Sequence, residues 1–136
     1  MSVPVEKRKQ GKLLCIIAAE RLCTHSYRIT SNENIFVTKY SRLVDKVCDT
    51  ATDIYAYAEE ANDIRVTDAE GWHRRSALQK MSIEKCNRLL KLIQICKPVF
   101  HLRIQKVRYW GMLVLEAKNR LVSWHEADKK RYARFK

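Results

Sequence analysis

The stretch from Arg103 to Trp124 sets the tightest condition on what this chain can fold into. At about 100° per residue, Ile104, Val107, Tyr109, Trp110, Leu113, Val114, Leu115, Ala117, Leu121, Val122 and Trp124 cover an arc of roughly 240°. A helix that packs on one side needs an apolar stripe only somewhat over ~100° wide. The pattern predicts a helix covered twice, by its own subunit and by a second body. Its polar remainder includes the basic residues Arg103, Lys106, Arg108, Lys118 and Arg120. Together these features predict an oligomer with a positive surface.

The rest of the chain reads as more helices of the same length. Only 3 Gly and 2 Pro occur in 136 residues, and no Gly/Ser-rich or Pro-rich linker or internal repeat interrupts them. That predicts one domain, residues 1–136, built from a few long helices. Helix one is expected from Gly11 to Ile29, with Leu13, Leu14, Ile16, Ile17, Leu22 and Tyr27 around most of its girth. The polar cluster Thr30 to Asn34 ends it, and Ile35 and Phe36 are expected to plug the bundle end. Helix two, Thr38 to Ile64, puts Leu43, Val47, Ala51, Ile54 and Ala58 on one side. Asp45, Asp49, Asp53, Glu60 and Asp63 fall on the other, as either a solvated face or a docking stripe for a basic surface. Helix three opens at a capping box, with Thr67 as the cap and Glu70 reaching back. It is expected to end near Lys97, because Pro98 disfavours continuation. Past Trp124 the sequence reads as a polar tail. Four long helices with short connections predict an all-α, antiparallel up-down-up-down four-helix bundle that assembles into a homo-oligomeric barrel.

Charge narrows the partner. The net charge is +12, but it is not uniform. Residues 1–44 carry +5, residues 45–70 carry −6, and residues 71–136, with 17 basic and 4 acidic residues, carry +13. Such a surface favours a polyanion, because neutralised phosphates release counterions. Lys80, Arg88 and Lys91 share the narrow polar face of helix three, with Arg74 and Arg75 flanking it near the start. An ordered helix presents this face, so these five are the candidate nucleic-acid or partner contacts. Lys7, Arg8, Lys9 and Lys12 form a basic N-terminal tail, and Lys129, Lys130, Arg131, Arg134 and Lys136 a C-terminal one. Each tail is either a solvated end or a further contact. Tyr132 and Phe135 in the second tail either stack on bases or pack onto the bundle.

No motif of an enzyme stands out. His125-Glu126 resembles the start of a zinc-binding H-E-x-x-H, but Lys129 occupies the place of the second histidine. Gly11, Gly71 and Gly111 are isolated, so there is no phosphate-cradling loop, and Gly111 inside a helix suggests close helix packing. No cofactor is called for. The cysteines Cys15, Cys23, Cys48, Cys86 and Cys96 sit in apolar helical surroundings without a C-x-x-C pair, which predicts buried free thiols and a reducing compartment. No apolar run approaches the ~20 residues of a membrane span. Leu13 to Ala19 is too short for one and lacks a signal cleavage pattern. The expected location is therefore cytoplasmic, away from membranes.

Several turn and core residues point to a family. Asn32-Glu33-Asn34-Ile35-Phe36, Lys39-Tyr40, Asp53-Ile54-Tyr55 and Ala61-Asn62 resemble small four-helix-bundle proteins. So do Val107-Arg108-Tyr109-Trp110, Leu113-Val114, Glu116, Asn119-Arg120-Leu121 and Trp124, and the resemblance runs from about Lys7 to Tyr132. These proteins are the accessory variability determinants (Avd) of diversity-generating retroelements, which are similar to the proteins encoded in ribosomal-RNA intervening sequences. The chain departs at Val37, where many relatives carry proline, which leaves the start of helix two open. The resemblance implies a homopentamer that binds the element's reverse transcriptase and its template RNA, and possibly DNA, in mutagenic complementary-DNA synthesis. It implies no catalytic residue in this chain. The alternatives are a bundle of the intervening-sequence type without a polymerase partner and a general phage nucleic-acid-binding accessory protein.

Overall fold

The computed structural model describes the backbone of residues 5–135 and the side chains of residues 14–135. The side chains of Lys7, Arg8, Lys9 and Lys12, and Lys136, lie outside the described residues. Among the described residues there are four helices, α1 (Val5–Thr30), α2 (Ser41–Asp63), α3 (Ala69–Val99) and α4 (Ile104–Arg131), with one 3-10 turn at Thr38–Tyr40. No strand occurs among the described residues. Helix α1 packs on α2 and α4, α3 packs on the same two, and the diagonal pairs hardly touch. The end of α1 meets the end of α3 through Phe36 and Phe100, whose rings lie 4.6 Å apart. At the other end, Arg75 near the start of α3 reaches Ile64 just past α2 and Asp128 near the end of α4. The helices therefore run up, down, up, down.

Local chemistry sets each boundary. The Asn32 side chain accepts from the Asn34 N–H at 3.1 Å, and the Phe36 N–H returns to the Asn32 carbonyl at 2.8 Å. This turn drops Phe36 into the bundle end, where it is buried against Phe100 and Trp110. Val37 is extended and the 3-10 turn follows, so α2 starts at Ser41 rather than Thr38. Helix α3 is capped one residue later than the sequence pattern suggests. Asp68, not Thr67, is the N-cap, and its carboxylate accepts from the Gly71 N–H at 2.8 Å. Position N3 is where an N-cap side chain bonds, and Asp68 stands three residues before Gly71. Pro98 fits inside the last turn of α3, which ends at Val99. His101 then adopts φ 52, and the Leu102 N–H bonds back to the Lys97 carbonyl at 2.9 Å, closing the helix in a Schellman turn.

The core is narrow because many of its residues are small. Ala19, Ala51, Ala58, Ala61, Ala117, Cys15, Cys86 and Cys96 are all fully buried, beside Leu22, Ile54, Leu89 and Leu121. Close approach lets the Ser82 hydroxyl of α3 donate to the Ile54 carbonyl of α2 at 2.7 Å. Trp110 is fully buried toward the Phe36 end, with its Nε1–H donating to the Ser26 hydroxyl oxygen at 2.9 Å. All five cysteines are free, four of them buried and Cys23 half-buried. No helix is long and apolar enough to cross a membrane, among the described residues.

Candidate nucleic-acid interface

Lys80, Arg88 and Lys91 are exposed on the outer face of α3, and Arg74 is exposed near its start. Within α3, positions 80, 84, 88 and 91 follow helical spacing, so the three cations share one side with Glu84 among them. The same side carries two half-exposed apolar residues, Met81 and Ile95. The face is thus a basic strip broken by one carboxylate and edged with apolar surface.

Arg75 does not belong to that face. It is 2% exposed, and its Nε–H donates to Asp128 Oδ2 at 2.8 Å while Nη1 donates to the Ile64 carbonyl at 3.3 Å. Gln79 Nε2 donates to the same Asp128 oxygen at 2.8 Å. The guanidinium also lies over the Trp124 ring, 5.0 Å from its centroid. Its helical position explains the burial. Trp72, Arg75, Ser76, Gln79 and Ser82 are the inward residues of the first half of α3, so a guanidinium takes a core position there and needs Asp128 as counter-charge.

The C-terminal segment is also ordered differently from a solvated tail. Helix α4 continues through Lys129 and Lys130 to Arg131. Tyr132 packs on Trp72 with ring centroids 5.3 Å apart, and Phe135 lies 6.3 Å from Tyr132. Of the two roles open to these aromatics, packing on the bundle is the one observed. His125 is buried and its Nε2 is 2.9 Å from the Ser76 hydroxyl. Burial, with Lys80 and Lys129 nearby, holds its imidazole below the usual histidine range, so it is neutral near pH 7. No group of three or more metal-ligating side chains gathers among the described residues.

Charge is segregated across the bundle. Asp45, Asp49, Glu60 and Asp63 are exposed on α2, and Asp53 is half-buried beside Lys85 at 3.6 Å. On the diagonally opposite α4 and at its N-cap, Arg103, Lys106, Arg108 and Arg120 are exposed. The outside of α4 also keeps apolar residues uncovered: Ile104, Tyr109, Met112, Leu115 and Val122 are 37–53% exposed. Gly111 lies among them, and a Cβ built there would meet nothing within 4 Å. Packing inside this chain therefore does not account for that glycine.

A second group escaped the sequence reading. Arg21, His25 and Arg28 of α1 line a groove of about 370 Å³ against Tyr109 and Leu113 of α4. The signal is the i, i+4, i+7 spacing, which puts all three on one side of a helix. Against protein-family models, curated proteins and solved structures, the chain finds no match.

Proposed function

We propose that this chain is a non-catalytic accessory protein of a diversity-generating retroelement. In this reading it binds the reverse transcriptase and its template RNA and supports mutagenic complementary-DNA synthesis. The observation that carries it is the exposed basic strip of α3, Lys80, Arg88 and Lys91 with Arg74, on a chain whose residues 71–136 carry +13. Strips of this kind act through phosphate contacts. Arg75 is left out because its charge is used internally. The uncovered apolar residues Ile104, Met112, Leu115 and Val122 on the outer side of α4 support a homo-oligomer, pentamer preferred, since apolar patches on a surface mark protein contacts. A ring would repeat the basic strip and multiply a weak affinity.

The test changes Arg88 and Lys91 together to Glu. RNA affinity should fall by about an order of magnitude or more, and the slope of log affinity against log salt should shallow by roughly 0.7 to 0.9 per lost phosphate contact. Helicity should not change, because both side chains are exposed. Complementary-DNA synthesis by the neighbouring polymerase on its own template, with and without this protein, tests the accessory role. Full synthesis and normal adenine mutagenesis without it reject that role and favour an RNA-linked bundle with no polymerase partner.

A further inference from the structure

The groove between α1 and α4 lies on a different side of the bundle from the strip on α3. Its floor is Tyr109, which is 49% exposed. His25 meets that ring edge-on, with centroids 5.1 Å apart and planes at 73°, leaving an aromatic surface open to solvent. His25 Nε2 is buried and has no hydrogen-bond partner. It is closed off from the solvent side, so what the groove offers a ligand is the Tyr109 ring and the cations beside it. Arg21 and Arg28 stand one turn to either side of His25, about 10.5 Å apart along the axis, and neither makes an ion pair among the described residues. Past Tyr109, Lys106 and Gln105 extend the groove, while Glu20 sets a carboxylate on its rim.

We infer that this groove binds single-stranded nucleic acid, with a base stacked on the exposed face of Tyr109 and flanking phosphates held by Arg21 and Arg28. The inference rests on the nucleic-acid reading above and adds the strand class and the residues. An aromatic face between cations is how proteins hold unpaired strands. In a duplex the bases are already stacked and the ring cannot reach them. An acidic peptide without aromatic side chains would satisfy the arginines but gives no ring to stack on Tyr109. A base offers a face for the ring, and the strand that carries it offers phosphates for the arginines.

The experiment measures binding of the full chain to a labelled RNA single strand of about ten nucleotides and to a duplex of the same length. Tyr109→Ala should weaken single-strand binding about 5- to 150-fold, the range of one lost stacking contact, and leave duplex binding unchanged. Tyr109→Trp should restore it. In the wild-type protein, a strand carrying 4-thiouridine should photocrosslink to Tyr109 or to residues 21–28, which needs no variant to fold. The inference is overturned if Tyr109→Ala binds the single strand as wild type does, if it loses duplex and single strand equally, or if crosslinks are confined to α3. Equal competition by polyglutamate of matched charge also overturns it. A wild-type protein that binds neither RNA form fails the nucleic-acid reading as a whole. One that binds RNA with Tyr109 indifferent fails only the groove.

Discussion

Replacing Asp128 by Ala should be among the most damaging single changes in this chain. Asp128 is 1% exposed, and one of its oxygens accepts from both Arg75 and Gln79 at 2.8 Å. Arg131 stands 3.8 Å from the other. The alanine removes the acceptor and leaves the Arg75 guanidinium buried among the Ile64 carbonyl and the Trp124 and Tyr132 rings, none of them a counter-charge. Breaking one side of a buried ion pair costs about 3 to 5 kcal/mol. That is a large share of the roughly 5 to 15 kcal/mol that holds a domain folded. At about 3 to 5 °C per kcal/mol for a chain of this size, the melting temperature should fall on the order of 10 to 20 °C. Urea titration and a thermal melt followed by circular dichroism, at fixed protein concentration, give both numbers. The double change Arg75→Met with Asp128→Leu removes both charges and should lose less than Asp128→Ala alone. If Asp128→Ala stays within about 1 kcal/mol of wild type, or the double change costs the sum of the two single ones, the argument from an uncompensated buried charge is wrong.

Other outcomes follow from single features. Ile95 is 50% exposed, so Ile95→Asp should keep full helicity and, if α3 meets another copy, lower the mass seen by light scattering; a wild-type monomer at micromolar concentration refutes the oligomer. His101 holds φ 52 without being glycine, so His101→Gly should gain about 0.5 to 1 kcal/mol in urea titration, and a loss would mean its side chain contributes to the turn. Burial pushes the Cys15 and Cys86 thiols up to about 12 and Cys96 to about 11. At pH 8 these three should therefore resist alkylation in the native protein, and all five cysteines should react in denaturant without reductant. Two missing thiols in that count would indicate a disulfide.

Regular periodicity made most of the fold legible. The apolar spacing of α2, the polar turn at Thr30 to Asn34 and the excess apolar arc of α4 all correspond to features of the structure. Apart from helix ends, shifted by one to three residues in α2 and α3, what failed were positions where polarity and burial part company. In the first half of α3 the inward stripe is Arg75, Ser76, Gln79 and Ser82, so a rule that assigns polar residues to the outside places Arg75 with the wrong neighbours. The same rule ended α4 at Trp124, because Asp128 is followed by three cations. Yet Leu121, Trp124 and Asp128 continue the core spacing of three and four residues. A lone carboxylate on that stripe, with an arginine on the inward stripe of a neighbouring helix, is the signal for a buried pair. The strip of Lys80, Arg88 and Lys91 was readable because exposed charges obey the rule. The α1–α4 groove was not, because the spacing of Arg21, His25 and Arg28 marks one side of α1 but not that Tyr109, far along the chain, lies against it.

The placement of acidic α2 diagonally across from basic α4 has a consequence for how the bundle meets any large anion. The two faces form an electric dipole across the short axis of the molecule. A polyanion exerts a torque on it before contact, turning α4 inward and α2 away. That torque acts over about a Debye length, roughly 8 Å at physiological ionic strength. The first collision would then already present the cationic side, and the carboxylates of α2 would be left pointing outward, free to meet whatever arrives next.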